Sequence, residues 1–467
     1  MPPLRTNKRL VATLTVAAVL LAAGLYAVAQ QPYQLTPMEE SKRDRAVSVS
    51  ASGGKYYVLP ATLETTQWGW LDPKEPPKLV VNSGDTVAIE TMMHAHNAIQ
   101  PGTTMDDIVK LRLANPGGGP HSVTGPIYVT GAEPGDTLEI RIVRIVPKAF
   151  ATNFHLPGAQ FPTVGQLAPE FPQGFVRYYY LDWEKKQAEF KPGIILDLQP
   201  FPGTIGVAPD PNEPKEKAGP PIRDAKGRTS TLRPWKNGSN MDLNELQAGS
   251  TLYLPVFVKG ALLWASDAHA AQGNGEINLT GIETAFREFN ITVDVIKGRS
   301  LEWPRVETPT HWLTLGYDED LNKALEILKS ETVKFITEER RVAAPDAQRI
   351  MMQRWDCRIS EVVDIVKGTF CFNPKEARAR PPAALPSKET ATDYVTVGSN
   401  ADLNKAMDAA SMAMINLIAE KRQLDRLDAY GLASVAMDCR IAPPTGSEVA
   451  VHCLTPKSLW RTPARTQ

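Results

Sequence analysis

Gly135-Asp136-Thr137-Leu138-Glu139-Ile140-Arg141-Ile142-Val143-Arg144-Ile145 decides the fold class of this chain. Glycine and aspartate make a turn, after which Leu138, Ile140 and Ile142 alternate with polar residues at the period of a half-buried strand. The same entry recurs at Gly84-Asp85-Thr86-Val87 and, in close form, at Ala248-Gly249-Ser250-Thr251-Leu252. Working outward, Leu79–Val81, Thr86–Thr91, Ile127–Thr130, Leu252–Val258 and Ile291–Ile296 read as further strands. Together they predict a β-sandwich or barrel-like body over residues 55–300, with the three glycine turns at its repeated edges. Residues 210–234, rich in proline, glycine and charge, read as a surface loop within it.

Beyond this body the sequence repeats. Thr314-Leu315-Gly316, Asp320-Leu321-Asn322-Lys323-Ala324 and Asp356-Cys357-Arg358-Ile359 return as Thr396-Val397-Gly398, Asp402-Leu403-Asn404-Lys405-Ala406 and Asp438-Cys439-Arg440-Ile441. The offset holds at 82 positions (398 − 316 and 439 − 357), which predicts a duplicated module, 311–375 and 394–460, joined by a proline-bearing linker over 376–393. Each copy reads as strand, helix, helix, strand, strand. Leu321, Ala324, Leu325 and Leu328 share one helical face, as do Leu403, Ala406, Met407, Ala410 and Met414, with Asp320 and Asp402 as N-caps. The fold class is therefore α+β and mainly β, a β body carrying a duplicated C-terminal α/β module.

The 467 residues carry 51 Lys and Arg against 52 Asp and Glu, a formal charge of −1, so no global field favours nucleic acid. Arg5, Lys8 and Arg9 precede an apolar run from Leu10 to Val28, and Ala27-Val28-Ala29 has the form of a cleavage site. Residues 1–29 thus read as a secretory signal, or as an anchor if retained, the only route by which a membrane enters. A periplasmic or secreted location is expected. The four cysteines, Cys357, Cys371, Cys439 and Cys453, are even in number, and an exported chain favours disulfides. Members of each copy stand 14 positions apart (371 − 357 and 453 − 439). Bridges within each copy are the natural pairing, and bridges between copies are the alternative.

Three clusters could carry chemistry. Asp267 and His269 project from one face of an extended chain, and Gly273 and Gly275 allow a turn that returns Glu276 beside them, a set able to bind a divalent metal or move a proton. The plainer account is a loop satisfying its own buried polar groups. His94-Ala95-His96, again two apart, suits zinc. The third runs from His121, at a strand entry, to Glu133 in a Pro-Gly turn, where a carboxylate is ordinarily solvated. Read from the residues alone, His155, His311 and His452 have no such company.

Gly125-Pro126-Ile127-Tyr128-Val129-Thr130-Gly131-Ala132-Glu133-Pro134-Gly135-Asp136 resembles a signature of the acetamidase/formamidase family. Phe201–Pro209, Gly238-Ser239-Asn240-Met241-Asp242, Gly249–Val256 and Asp267–Glu276 are similar to its later blocks, in order. Ser239 and Ser266 stand where the family has glycine, and Asn274 where it has aspartate. The resemblance implies hydrolysis of the C–N bond of a small linear amide, to a carboxylate and ammonia, by a homo-oligomer.

No G-x-S-x-G elbow is present and no cysteine lies in a matching block, which favours water as nucleophile. On that basis a divalent metal, zinc foremost, is expected on Asp267, His269 and either His96 or Asp242. Glu133 or Glu276 would be the base and Asn240 an oxyanion donor, and a metal-free variant would pair Glu133 with Lys259. The competing expectation is a binding protein that keeps the scaffold without catalysis; hydrolysis of a cyclic amide is a third.

Overall fold

Alternation at Leu138, Ile140 and Ile142 buries all three side chains fully, because the strand Thr137–Pro147 lies inside a sheet. It pairs antiparallel with Phe286–Ile296 on one side and Thr251–Pro255 on the other. The computed structural model describes residues 53–213, 223–376, 379–444 and 446–461, with the backbone of a strand at Ala46–Val49. The expected signal or anchor over 1–29 lies outside the described residues, as do 214–222 of the 210–234 stretch and 377–378 of the linker. Among the described residues no helix is long and apolar enough to cross a membrane.

The glycine turns are real, but they do not mark sheet edges. Gly84, Gly135 and Gly249 all take φ between 90° and 95°, which a side chain would resist. The aspartate that follows closes the turn: Asp136 accepts from the backbone N–H of Glu133 and of Gly298. Each turn feeds an interior strand of one 13-stranded sheet. A second sheet of 12 strands holds Leu263–His269 near its middle, between Phe201–Val207 and Glu283–Thr284, with Ser122–Val129 also alongside. Ile140, Leu252 and Ile291 of the first sheet share a buried core with Ile127, Ile205 and Leu263 of the second. The architecture is mainly β with several helices, and among the described residues neither sheet closes into a barrel.

From residue 311 the element order runs strand, helix, helix, strand, strand, then does so again. These strands extend the 13-stranded sheet of the body, so no structural break falls at the boundary drawn near 300–311. Gly316 and Gly398 explain one repeated residue: a Cβ there would lie 2.3 Å and 2.0 Å from the carbonyl oxygens of Ala324 and Ala406 in the overlying helix. Asp320 and Asp402 cap Leu321–Arg340 and Leu403–Arg422 by accepting from the N–H of Asn322 and Asn404. Each asparagine then donates to the other helix's cap, Asn322 to Asp402 at 2.9 Å and Asn404 to Asp320 at 2.7 Å. The cysteines face each other across antiparallel strands and are bonded within copies, Cys357 to Cys371 and Cys439 to Cys453.

Candidate active site

Leu263–His269 ends in polar residues although its whole length is buried, so its last turn must find polar partners inside the protein. Asp267 and His269 find them in residues from four other segments. His94 Nε2 lies 2.9 Å from Asp267 Oδ1, and His121 Nε2 approaches the same oxygen at 3.5 Å. Asp267 Oδ2 lies 3.5 Å from His269 Nε2, which in turn meets Glu283 Oε2 at 2.9 Å. On the far side of His269, Asp242 Oδ1 stands 3.7 Å from Nδ1. All these side chains are buried.

The backbone here is forced. Asp242, Asp267, Glu276 and Asp364 adopt φ of 43°, 51°, 46° and 59°, the left-handed region that residues with a side chain avoid. Four acidic residues held so in one place are the mark of a site whose geometry outranks local comfort. Gly203 is needed for the same reason. A Cβ on it would lie 2.3 Å from Asp267 Oδ2, 2.5 Å from Asp242 Oδ1 and 2.8 Å from His269 Cε1.

A cavity of about 60 Å³ opens above this floor, room for roughly four water-sized atoms. His94, His121, Asp267 and Glu283 line its polar end, and Ile99, Ile108, Phe154, Leu156, Val164 and Leu279 its walls. Ile108 and Leu111 come from the helix Met105–Ala114, whose start is fixed by a capping box between Thr104 and Asp107. The 210–234 stretch is no mere surface loop: Thr231 is fully buried and holds His121 Nδ1 at 3.1 Å, and Leu232 lines the cavity.

Charge follows burial. Desolvation pushes the His121 imidazole down to about 4, keeping it neutral. Burial would raise the Asp267 carboxyl, yet the neighbouring imidazoles of His121, His269 and His94, the last through a hydrogen bond, hold it well below the usual range. For His269, burial is overcome by Glu283 and Asp267, which push it up to about 10. Burial opposes charge on His94 as well, but its hydrogen bond to Asp267 and the charge of Glu283 raise it, so a metal taking both rings would displace the His94 proton. Ligand atoms around a tetrahedral ion with bonds near 2.0–2.1 Å stand about 3.3 Å apart, and the two Nε2 atoms meet Asp267 Oδ1 at 2.9 and 3.5 Å. Among the described residues His94, His121 and Asp267 form one of the groups that could hold a metal ion, and all three line the cavity.

Asp267, His269, Asp242 and Glu276 come together as the sequence suggested; four other expectations are corrected. His96 lies outside the metal-competent groups found among the described residues, because His94–Asn97 is a helical turn with Ala95 and His96 at positive φ rather than an extended segment. His94 turns inward and His96 packs beside Trp68. Glu133 and Lys259 form a 3.7 Å pair at the surface, each about half exposed or more, since the Asp136 carboxylate holds the turn and leaves Glu133 to solvent. Neither lines the cavity. Asn240 cannot serve an oxyanion: it donates to Asp242 and Asp364, both at 2.7 Å, and accepts from Thr204.

Glu283, Glu361 and Asp364 were not singled out from sequence. A signal existed for the last two. At the repeat offset of 82, Glu361 and Asp364 correspond to Pro443 and Gly446, so only the first copy carries the acids. The loop bearing Glu276 is gripped by both copies: Gly275 pairs with Ser360 and Val362, while Gly273 and Asn274 pair with Ser434 and Cys439. Asn274, a departure from the family pattern, donates to Asp438 of the second copy at 2.7 Å. Ser239, another, sits at φ 73°, where glycine is the easier residue.

The sequence model of the Acetamidase/Formamidase family matches residues 64–219 and 221–445. The chain belongs to this family. It is 30% identical over 268 residues to an acetamidase of Mycolicibacterium smegmatis, a match spanning 48% of this chain and 65% of that protein. It is 26% identical over 267 residues to a formamidase of Methylophilus methylotrophus, covering 48% and 63%. The match thus spans somewhat under two thirds of these curated relatives. A crystal structure of an acetamidase from Bacillus halodurans is similar with a TM-score of 0.59 at 27% identity, covering 68% of this chain and 97% of the other.

Proposed function

We propose that this acetamidase/formamidase family member hydrolyses the C–N bond of a small linear amide, giving a carboxylate and ammonia, in the cavity floored by His94, His121 and Asp267. The convergence of two buried imidazoles on one carboxylate oxygen at the base of a small cavity carries the reading. A divalent ion on these three residues, zinc by the nature of the donors, would supply Lewis acidity to a carbonyl oxygen and acidity to a water. Thr231 sets the His121 ring by binding its other nitrogen. Glu283, which lines the cavity, can take a proton from water and return it to the departing nitrogen, with the His269 imidazolium 2.9 Å away holding its carboxylate in place. The apolar walls seat the acyl group and keep bulk water away. The same reading places the protein outside the cytoplasm, supported by the N-terminal signal pattern and the two disulfides.

Ammonia release from formamide, acetamide and longer amides, measured with and without exhaustive chelation, tests this. Activity proportional to protein, lost on chelation and restored by zinc, is expected. Ammonia release that survives complete removal of metal would overturn the metal-assisted route, and its absence from the metal-loaded protein across the panel would leave a binding protein.

A further inference from the structure

The duplicated module allows one half of the repeat to be compared with the other. In the second module the ring of Trp460 stands edge to face with Tyr394, 5.7 Å between centres, and the Arg422 guanidinium lies over it at 4.4 Å. The backbone of Trp460 bridges to Ile194, which begins a strand of the body, and its side chain packs against the buried core there. At the offset of 82, Tyr394 and Arg422 correspond to Trp312 and Arg340 (394 − 312 and 422 − 340). Trp460 corresponds to Arg378, and residues 373–393 include no aromatic side chain. The first module keeps the seat without a ring of its own to fill it.

A cavity of about 200 Å³ lies at that seat. Trp312 and Phe335, with ring centres 5.8 Å apart, and Trp355 supply aromatic walls, and the Cys357–Cys371 bridge borders it. Phe335 and Trp355 are buried. Arg340 also lines the cavity, and its guanidinium is held by donating to the Pro374 carbonyl at 2.9 Å. Glu307, 2.6 Å from Lys375, stands at the border as an acceptor for a ring N–H. No residue that lines this cavity also lines the one above His94, His121 and Asp267. An apolar cavity of about 150 Å³ accommodates benzene, so the volume here has room for a two-ring system.

We infer that this cavity binds a free planar aromatic molecule of the indole class, seated as Trp460 is in the second module, with one face toward the Arg340 guanidinium and an edge against Trp312. Both contacts are favourable for an aromatic ring: its electron-rich face attracts a cation, and aromatic pairs prefer edge-to-face approach. A concave aromatic pocket with a few polar groups at its border is the usual form of a small-molecule site. The second module takes no such ligand, because its own tryptophan occupies the place.

The test is equilibrium dialysis of the full chain against indole, with melting temperature followed alongside. We expect saturable uptake of one indole per chain and a melting temperature that rises with indole concentration. Ile350→Trp, which sets a ring into the cavity from its own wall, should abolish uptake. Arg340→Ala should weaken it about two- to fivefold, the loss of one cation–π contact. Both variants should match wild type in zinc content and ammonia release, and Asp267→Asn should take up indole as wild type does, so this site and the proposed active site fail separately. No uptake by the wild-type chain, the result expected if another molecule of the protein covers this face, would overturn the inference. So would undiminished uptake in Ile350→Trp, which would put the ring elsewhere. Should that variant not fold, Arg340→Ala decides, and an unchanged affinity there would overturn the inference as well.

Discussion

A single methyl group at residue 203 should abolish the proposed amide hydrolysis without unfolding the protein. Gly203 has no left-handed φ, so alanine is acceptable to its backbone. The new Cβ would stand 2.3 Å from Asp267 Oδ2 and 2.5 Å from Asp242 Oδ1, and ordinary contact begins near 3.5 Å. Both carboxylates must therefore retreat by about 1 Å. They have little freedom to do so, since Asp267 is held by His94 and Asp242 by Asn240. A displacement of that size costs about 100-fold in rate, or about 2.7 kcal/mol of transition-state stabilisation. The overpacking should cost about 1–3 kcal/mol of stability, leaving most of the protein folded at 25 °C. The assay is ammonia release from the preferred amide beside zinc content and melting temperature. Gly203→Ala with activity within threefold of wild type and full zinc would refute the placement of the reaction at this floor.

Other consequences are as direct. Glu133→Ala and Lys259→Ala should each leave kcat/KM within twofold of wild type, because the pair is solvated and worth about 0–1 kcal/mol; a large loss in either would return that turn to the active site. Asp267→Asn should lower ammonia release at least 100-fold and zinc content with it, while the melting temperature of the zinc-free forms changes little. Gly398→Ala, whose Cβ would lie 2.0 Å from the Ala406 carbonyl, should lower unfolding free energy by about 1–3 kcal/mol, read by denaturant titration, with specific activity per folded molecule unchanged. Replacing Cys357 and Cys371 together by alanine should cost about 3 kcal/mol, the chain-entropy value for a loop of that size; a matching loss on reduction of wild type would agree.

How much of this was legible beforehand depends on the range of the interaction. Leu138, Ile140 and Ile142 announce a strand because alternation is a local rule. The duplicated helices and their aspartate caps were equally plain, since capping is decided within a few residues. The pairing of cysteines followed once the strands were adjacent. Local rules failed where the backbone left its regular path. At His94-Ala95-His96 an extended reading puts both rings on one face, but positive φ at Ala95 and His96 separates them. Glu133, set in a conspicuous motif, serves its turn through its backbone N–H rather than its carboxylate.

The sequence by itself determined the β body, the repeated module, the small-residue turns and the family, because periodicity, offset and motif order are properties of the chain. Only the tertiary structure decided which acids and imidazoles meet. His94, His121, Asp267 and Glu283 are scattered over nearly 190 positions (283 − 94), and Glu361 arrives from a module that the sequence presented as an appendage. Their common ground is set by strand register and by the packing of two sheets, and no spacing along the chain encodes a distance across it.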